Sequence, residues 1–236
     1  MIEKILADLE RVRLRRRPIG RPFVTVAYAQ SLDGSIAIEP GRKLALSGPE
    51  SLRLTHALRA GHDAILVGIG TVLADDPLLT VRLVPGSSPR AVVLDSRLRT
   101  PPGARLLEPH GGVAPLIATT AAADTAADQR LCERGARVLR LPAWANGWVD
   151  LNAVLGALAE AGVERVMVEG GAKILTSFLR LGVVDYAVVT VAPRFVGGLP
   201  ALGALERGAG QRLASWASHR LGDDLVIAGE LEGRER

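Results

Sequence analysis

Two glycine-bearing turns carry most of the groups from which chemistry could be built. The first is Arg165-Val166-Met167-Val168-Glu169-Gly170-Gly171-Ala172-Lys173. An apolar run ends on a glutamate, two glycines follow, and Ile174, Leu175, Phe178 and Leu179 then recur at helical spacing. The pattern is strand, tight turn, helix. A helix opening on such a turn presents free backbone N–H groups at its positive end, a seat for an anion such as phosphate. Glycine lets a ligand approach the backbone because no Cβ intervenes. Glu169, at the strand's carboxyl end, would face the crevice where open α/β sheets bind ligands. A plain strand–helix connection with a solvated glutamate produces the same pattern.

The second turn is Gly68-Ile69-Gly70-Thr71-Val72-Leu73-Ala74-Asp75-Asp76-Pro77. It is a partial dinucleotide fingerprint with Leu73 in place of the third glycine, and no acidic residue closes a following strand at the required distance, so a Rossmann reading is rejected. As a second glycine turn on the same crevice it matters more, because a dinucleotide has two phosphates to hold. Asp75 could contact ligand hydroxyls. Asp76 precedes a proline, which predicts extended backbone there, and turn or cap chemistry is its other reading. Arg59 and Arg82 flank the region and could clamp a phosphate; each alone is an ordinary surface charge. Ser96-Arg97, after a strand, pairs a hydroxyl with a guanidinium, which suits the 2′-phosphate of NADP or is simply an exposed loop.

Other chemistries are excluded. The chain has no G-x-S-x-G elbow, Walker loop, H-E-x-x-H or kinase motif. His56, His62, His110 and His219 lack ligand spacing and there is one cysteine, so no metal site is expected. Cys132 falls in an amphipathic helix pattern, Asp124 to Arg134, and reads as a small buried hydrophobe. Aromatic residues make up only 3% of the 236, too few for a nucleic-acid stacking platform. Much of the positive charge behind the net +4 lies in Arg11–Arg17, so the charge balance indicates no nucleic-acid partner. No apolar run reaches membrane-spanning length and the charged N-terminus lacks a signal-peptide core, so a soluble cytoplasmic protein is expected.

These groups need a scaffold. Residues 1–17 carry Ile2, Ile5, Leu6, Leu9 and Val12 on one helical face, an extension (residues 1–22) ahead of one domain (23–236). Strand patterns follow at Phe23–Ala29, Ile36–Ile38, His62–Gly68, Ala91–Asp95, Ala114–Thr119, Arg137–Leu141, Arg165–Val168 and Val183–Val191. Between them lie helices opened by Ser47-Gly48-Pro49-Glu50, a capping-box form, by Asp124 and by Asp150. Asp33-Gly34 marks a turn, and the stretches Gly68–Pro77 and Thr100–Gly112 read as loops. Ser215–Leu221 and Asp224–Leu231 form a closing hairpin. Alternating strands and helices predict a three-layer α/β/α domain with a mixed, mostly parallel sheet and a C-terminal antiparallel pair.

Read together, Ser31-Leu32-Asp33-Gly34, Ser47-Gly48-Pro49, Leu58-Arg59-Ala60, Ile65 through Pro77, Leu79-Thr80-Val81-Arg82, Val93-Leu94-Asp95-Ser96, Val168-Glu169-Gly170-Gly171 and Ala192-Pro193 resemble the reductase domain of riboflavin biosynthesis. That domain is the C-terminal half of the bacterial bifunctional deaminase–reductase and a stand-alone enzyme in archaea and fungi. The resemblance implies a dihydrofolate reductase-like fold, a homodimer, and NADPH-dependent reduction of the ribosyl group of a phosphorylated aminopyrimidine to ribityl. It implies that Thr71, Asp75, Ser96 and the turn Gly171, Ala172, Lys173, Ile174, Leu175, Thr176 and Ser177 bind NADPH, with Ala29 and Ala45 lining the site. It places Lys43, Arg59, Leu79, Arg82 and Glu169 on the substrate, and Asp33 and Glu169 as catalytic candidates, Asp33 in a proton network. The chain departs from the bacterial pattern at Ala27, Ser35 and Lys43. A paralogue acting on another pyrimidine or a pterin-like substrate is therefore an alternative, as is a non-catalytic nucleotide-binding protein.

Overall fold

The computed structural model describes residues 1–42, 44–108, 113–205 and 210–232. Lys43 lies outside the described residues. Six α-helices and eleven strands are assigned among them: α1 Ile2–Arg15, β1 Phe23–Ser31, β2 Ser35–Ala37, α2 Pro49–Ala60, β3 Ala64–Gly68, α3 Ile69–Asp75, β4 Arg90–Leu94, β5 Leu116–Thr119, α4 Thr125–Glu133, β6 Arg137–Arg140, α5 Leu151–Glu160, β7 Arg165–Val168, α6 Ala172–Leu181, β8 Tyr186–Ala192, β9 Leu199–Pro200, β10 Leu213–Leu221 and β11 Asp224–Leu231. Nine described strands form one sheet in the order β10-β11-β8-β1-β7-β3-β4-β5-β6. From β8 to β6 every pairing is parallel, whereas β11 runs antiparallel to β8 and β10 to β11. This is the mixed sheet with a terminal antiparallel pair that the alternation predicted.

Side-chain alternation divides the core into faces. Val24, Val26, Ala64, Leu66, Val166 and Val168 point toward α5 and α6, where Leu155, Leu158, Leu175 and Phe178 cover them. Their sequence neighbours point the other way. Ile65, Val67, Val93 and Ile117 pack with Val72 of α3 and Leu131 of α4. Phe23, Ala27, Met167 and Val188 pack with Leu54 and Leu58 of α2 and with Ile5, Leu9 and Val12 of α1. Helices thus cover both sheet faces, and α1 is docked rather than frayed. Its basic end is anchored as well: Arg15 and Arg16 pair with buried Glu230, and Arg21 grips buried Asp185 at 2.7 and 2.9 Å.

Several local expectations change. The capping box does not form, because Gly48 rather than Ser47 caps α2, and Glu50 follows it too closely. The Gly68–Pro77 stretch is not a loop but contains α3, and Arg105–Leu107 makes a 3-10 turn inside the presumed Thr100–Gly112 loop. Asp76 is not extended: it ends α3 in the left-handed region at φ 40°, ψ 60°. Its N–H donates to the Val72 carbonyl and its Oδ1 accepts from the Arg105 N–H at 2.9 Å, which together outweigh the proline's restriction. Cys132 is exposed, not buried; Leu131 beside it takes the core position.

Candidate functional site

A cavity of about 700 Å³ opens at the carboxyl edge of the parallel strands. Both glycine turns reach it. Gly68 and Gly170 let them close together, since a Cβ on either would sit 2.7–2.8 Å from Ile174 of α6. A Cβ on Gly171 would instead meet only the Thr71 hydroxyl, at 3.7 Å. Gly171 caps α6 without any side-chain acceptor, which leaves the first N–H groups of a ten-residue helix available at the cavity wall. Thr71, Asp75, Ser96, Gly171, Ala172, Lys173, Ile174 and Ser177 all line the cavity. Arg42, Arg97, Arg99 and Lys173 on its wall are suited to phosphate, with the carboxylates Glu39, Asp75 and Asp95 also lining it.

Not every expected residue faces it. Leu175 is fully buried in the core, and Thr176 turns inward, donating to the Ala172 carbonyl and accepting from the Gly203 N–H at 2.8 Å. Helical geometry explains this: only one face of α6 can meet the cavity while the other packs on the sheet. Ala29 and Ala45 are not on its wall; the Ala45 carbonyl accepts from Arg194. The Leu79 side chain is buried in the core with its backbone at φ 57°, so only its main chain could meet a ligand.

Asp33 is held by four hydrogen bonds. Its carboxylate accepts from the Ser31 and Ser35 hydroxyls at 2.5 and 2.8 Å, and from the Val196 and Gly197 N–H groups at 3.0 and 2.7 Å. The Ser31 bond first, then the two backbone donors, hold its carboxyl well below the usual carboxylate range. It ties its turn to residues 196–197.

Beside the cavity lies a second cluster. Arg59, buried on α2, donates through Nε to Glu169 Oε2 at 2.9 Å and through Nη2 to Oε1 at 2.5 Å. Its Nη1 donates to the Thr80 carbonyl at 3.1 Å. Arg82 Nη1 donates to the Thr80 hydroxyl at 2.6 Å, so two guanidinium groups share one threonine. Glu169 is bonded to Arg59, while its charge reaches Arg82 without an ion-pair contact among the described residues. His56, buried beneath, accepts from the Arg82 N–H at 2.9 Å. Burial first, then the Arg59 and Arg82 charges, push His56 down to about 4, which keeps it neutral and able to accept. Only Gly170 separates Glu169 from Gly171, so this cluster adjoins the cavity.

The residue reading missed one wall of the cavity, the hairpin between β6 and α5. Trp144, Asn146, Gly147, Trp148 and Val149 line the cavity there. Two of the chain's three tryptophans flanking an Asn-Gly turn was the available signal.

This architecture belongs to the class of α/β proteins with a ligand cleft at the carboxyl edge of a largely parallel sheet. Residues 22–227 match the RibD C-terminal domain family, and the chain belongs to that family. A relative from Methanothermobacter thermautotrophicus, named 2,5-diamino-6-ribosylamino-4(3H)-pyrimidinone 5′-phosphate reductase, is 40% identical over 90% of this chain and all of its own. The riboflavin biosynthesis protein RibD of Aquifex aeolicus is 36% identical over 88% of this chain and 57% of its own length. Among solved structures, RibD of Acinetobacter baumannii superposes with a TM-score of 0.80 at 26% identity, covering 96% of this chain and 62% of that one. The Saccharomyces cerevisiae riboflavin biosynthesis reductase Rib7 gives 0.72 at 28% identity, covering 92% and 93%. Among the described residues no helix is long and apolar enough to cross a membrane, and no group of three or more His, Cys, Asp or Glu is placed to hold a metal ion.

Proposed function

We propose that the protein is an NADPH-dependent reductase of riboflavin biosynthesis, reducing the ribosyl group of 2,5-diamino-6-ribosylamino-4(3H)-pyrimidinone 5′-phosphate to ribityl. The observation that carries this reading is the adjacency of the α6 turn and its cavity to the Arg59–Glu169–Arg82 cluster. A dinucleotide fits the cavity: the uncapped α6 terminus, Thr71, Ser96 and Lys173 are donors for phosphate and ribose oxygens, and Arg97 suits a 2′-phosphate. NADPH, when bound, supplies the reducing equivalents. The chain's own residues bind and orient. Arg82, in ion-pair contact with no described carboxylate, takes the substrate phosphate. Glu169, steered by Arg59, accepts hydrogen bonds from the pyrimidine or ribose. Asp33 holds the β1–β2 turn, and the one proton that the reduction consumes is supplied by a nearby acid or by water.

The names of relatives support the substrate, and the 40% identity of the Methanothermobacter protein favours the diaminopyrimidinone. The deaminated uracil counterpart is the second reading, motivated by the RibD relatives. Following NADPH oxidation with each compound tests both. Turnover of the diaminopyrimidinone at least tenfold above the uracil is expected; turnover of neither, with NADPH bound, would sink the assignment. A homodimer belongs to the same proposal and rests on the family resemblance; light scattering on the purified protein reads it. A cytoplasmic location follows from the biosynthetic role and is tested by fractionation.

A further inference from the structure

We propose that His56 is a positioning residue for the substrate's phosphate: its imidazole, beneath a strap formed by residues 79–88, holds the main chain of Arg82 so that the guanidinium meets the phosphate. This rests on the reading of Arg82 as the phosphate ligand, and it gives a task to a buried histidine that the reaction leaves idle.

The strap is laid along one face of α2. His56 and Arg59 stand three residues apart on that helix, so they share the face. Arg59 Nη1 donates to the Thr80 carbonyl at 3.1 Å, and the Arg82 N–H donates to His56 Nδ1 at 2.9 Å. Leu79 is buried and starts the strap in the left-handed region. The return is fixed as well: the Val81 N–H donates to the Ser88 hydroxyl at 3.0 Å. Gly86, at φ 138°, lies against the end of the helix, where a Cβ would come within 2.7 Å of the Ala60 Cβ. Arg82 is thus an exposed residue whose backbone is held from below. Its Nη1 donates to the Thr80 hydroxyl on the same strap at 2.6 Å, so the guanidinium moves with the strap.

The chemistry of the imidazole suits this task. Nδ1 accepts, so the single proton of the neutral ring sits on Nε2. Burial first, and then the charges of Arg59 and Arg82, keep the ring neutral, and a neutral ring adds no third positive charge beneath them. A lysine or arginine here could not accept from the Arg82 N–H. An aliphatic side chain would leave that N–H without its partner and free the strap to shift.

The test combines steady-state kinetics on 2,5-diamino-6-ribosylamino-4(3H)-pyrimidinone 5′-phosphate with calorimetric binding of ribose 5-phosphate and of NADPH. The proteins compared are the wild type, Arg82→Ala, His56→Leu and His56→Asn. Asparagine carries a carbonyl oxygen close to the place of Nδ1 and can accept; leucine fills the space and cannot. Arg82→Ala should weaken ribose 5-phosphate by roughly 10- to 100-fold. His56→Leu should raise KM and weaken ribose 5-phosphate by roughly 3- to 10-fold, with kcat and NADPH affinity within about twofold of the wild type. His56→Asn should recover most of that loss. Should His56→Leu fail to fold, His56→Gln, whose amide reaches past the Nδ1 position, replaces it with the same expectations. Wild-type phosphate affinity in His56→Leu would overturn the proposal. So would an equal loss of NADPH or kcat, or a loss that asparagine does not repair, since either would mark a merely structural role. If the wild type binds no ribose 5-phosphate, or Arg82→Ala binds it as well as the wild type, the proposal falls with the phosphate role of Arg82, and NADPH-dependent turnover would leave the reductase reading standing. Absence of turnover alongside the expected order of ribose 5-phosphate affinities would sink the reductase reading and leave the role of His56 intact.

Discussion

Arg59 and Glu169 meet through two parallel bonds, Nε to Oε2 at 2.9 Å and Nη2 to Oε1 at 2.5 Å, across 110 residues of sequence. The carboxylate is thereby held at the boundary between the cavity and the two-arginine cluster. Glu169→Gln keeps the shape and removes the charge. Steady-state kinetics should show turnover falling roughly tenfold or more, because a charge-assisted bond is worth about 1.5–3 kcal/mol. NADPH affinity, read by calorimetry, should stay within about twofold on the same scale. Equal loss of both would mean that Glu169 serves the cofactor instead.

Adjacent glycines should behave differently. Gly170→Ala places a Cβ 2.8 Å from the Ile174 Cβ, and Ile174 is branched there and cannot swing away. A cost of about 1–3 kcal/mol in urea unfolding is expected. Gly171→Ala meets nothing closer than the Thr71 hydroxyl at 3.7 Å, at an ordinary φ of −72°. It should cost below about 1 kcal/mol in stability, yet weaken NADPH by adding a methyl at the cavity wall. Were both substitutions to act on stability alone, the turn would be only a packing device.

Acid should destabilise the fold through His62. This residue is buried, contacts the Leu58 carbonyl at 2.6 Å and the Thr25 hydroxyl at 2.9 Å, and is pushed down to about 4, chiefly by burial. The unfolded histidine titrates near 6.5. Between those values the unfolded chain binds the extra proton, so stability rises with pH: it is complete above about 6.5 and lost as pH falls toward 4. The loss should approach ~3 kcal/mol at the acid end. Urea melts at pH 7 and pH 5 measure it, and His62→Gln should shrink the difference without abolishing it, because His56 is pushed down to about 4 as well; an unchanged slope would place the acid sensitivity elsewhere.

The ion pairs under α1 should outweigh those on its surface. Asp185 is buried, receives Arg21 at two points and also accepts from the Val24 N–H at 2.8 Å. Asp185→Asn leaves Arg21 without its counter-charge and should cost about 3 kcal/mol. Arg11→Ala breaks only the exposed pair with Asp8 and should cost far less. Comparable losses in chemical denaturation would contradict this ordering.

Most of the architecture was legible because its signals are local. Continuous apolar runs marked β3, β4 and β7, and Asp124 and Asp150 cap their helices through the expected side-chain bonds. What failed depended on distant partners. Asp76 takes a left-handed conformation because Arg105, 29 residues on, satisfies its carboxylate. Leu175 and Thr176 belong to the right turn but the wrong helical face, and a contiguous run cannot separate them. The tryptophans around Asn146-Gly147 were a signal of a turn but not of its place, because that loop is fixed at the cavity by Ser96, 53 residues upstream of Val149.

The placement of β1 carries a consequence for how this chain reaches its native state. The strand nearest the N-terminus lies mid-sheet between β7 and β8, with Phe23 opposite Arg165 and Thr25 opposite Tyr186. No short-range partner exists for it, so a ribosome-bound fragment ending before β7 holds an open, apolar strand with both edges unpaired. The salt links from Arg15 and Arg16 to Glu230 add that α1 finds its final anchor only when the last strand has been made. Folding should therefore be slow and dominated by long loop closure. Chains truncated before β11 would be the ones that recruit chaperones or aggregate.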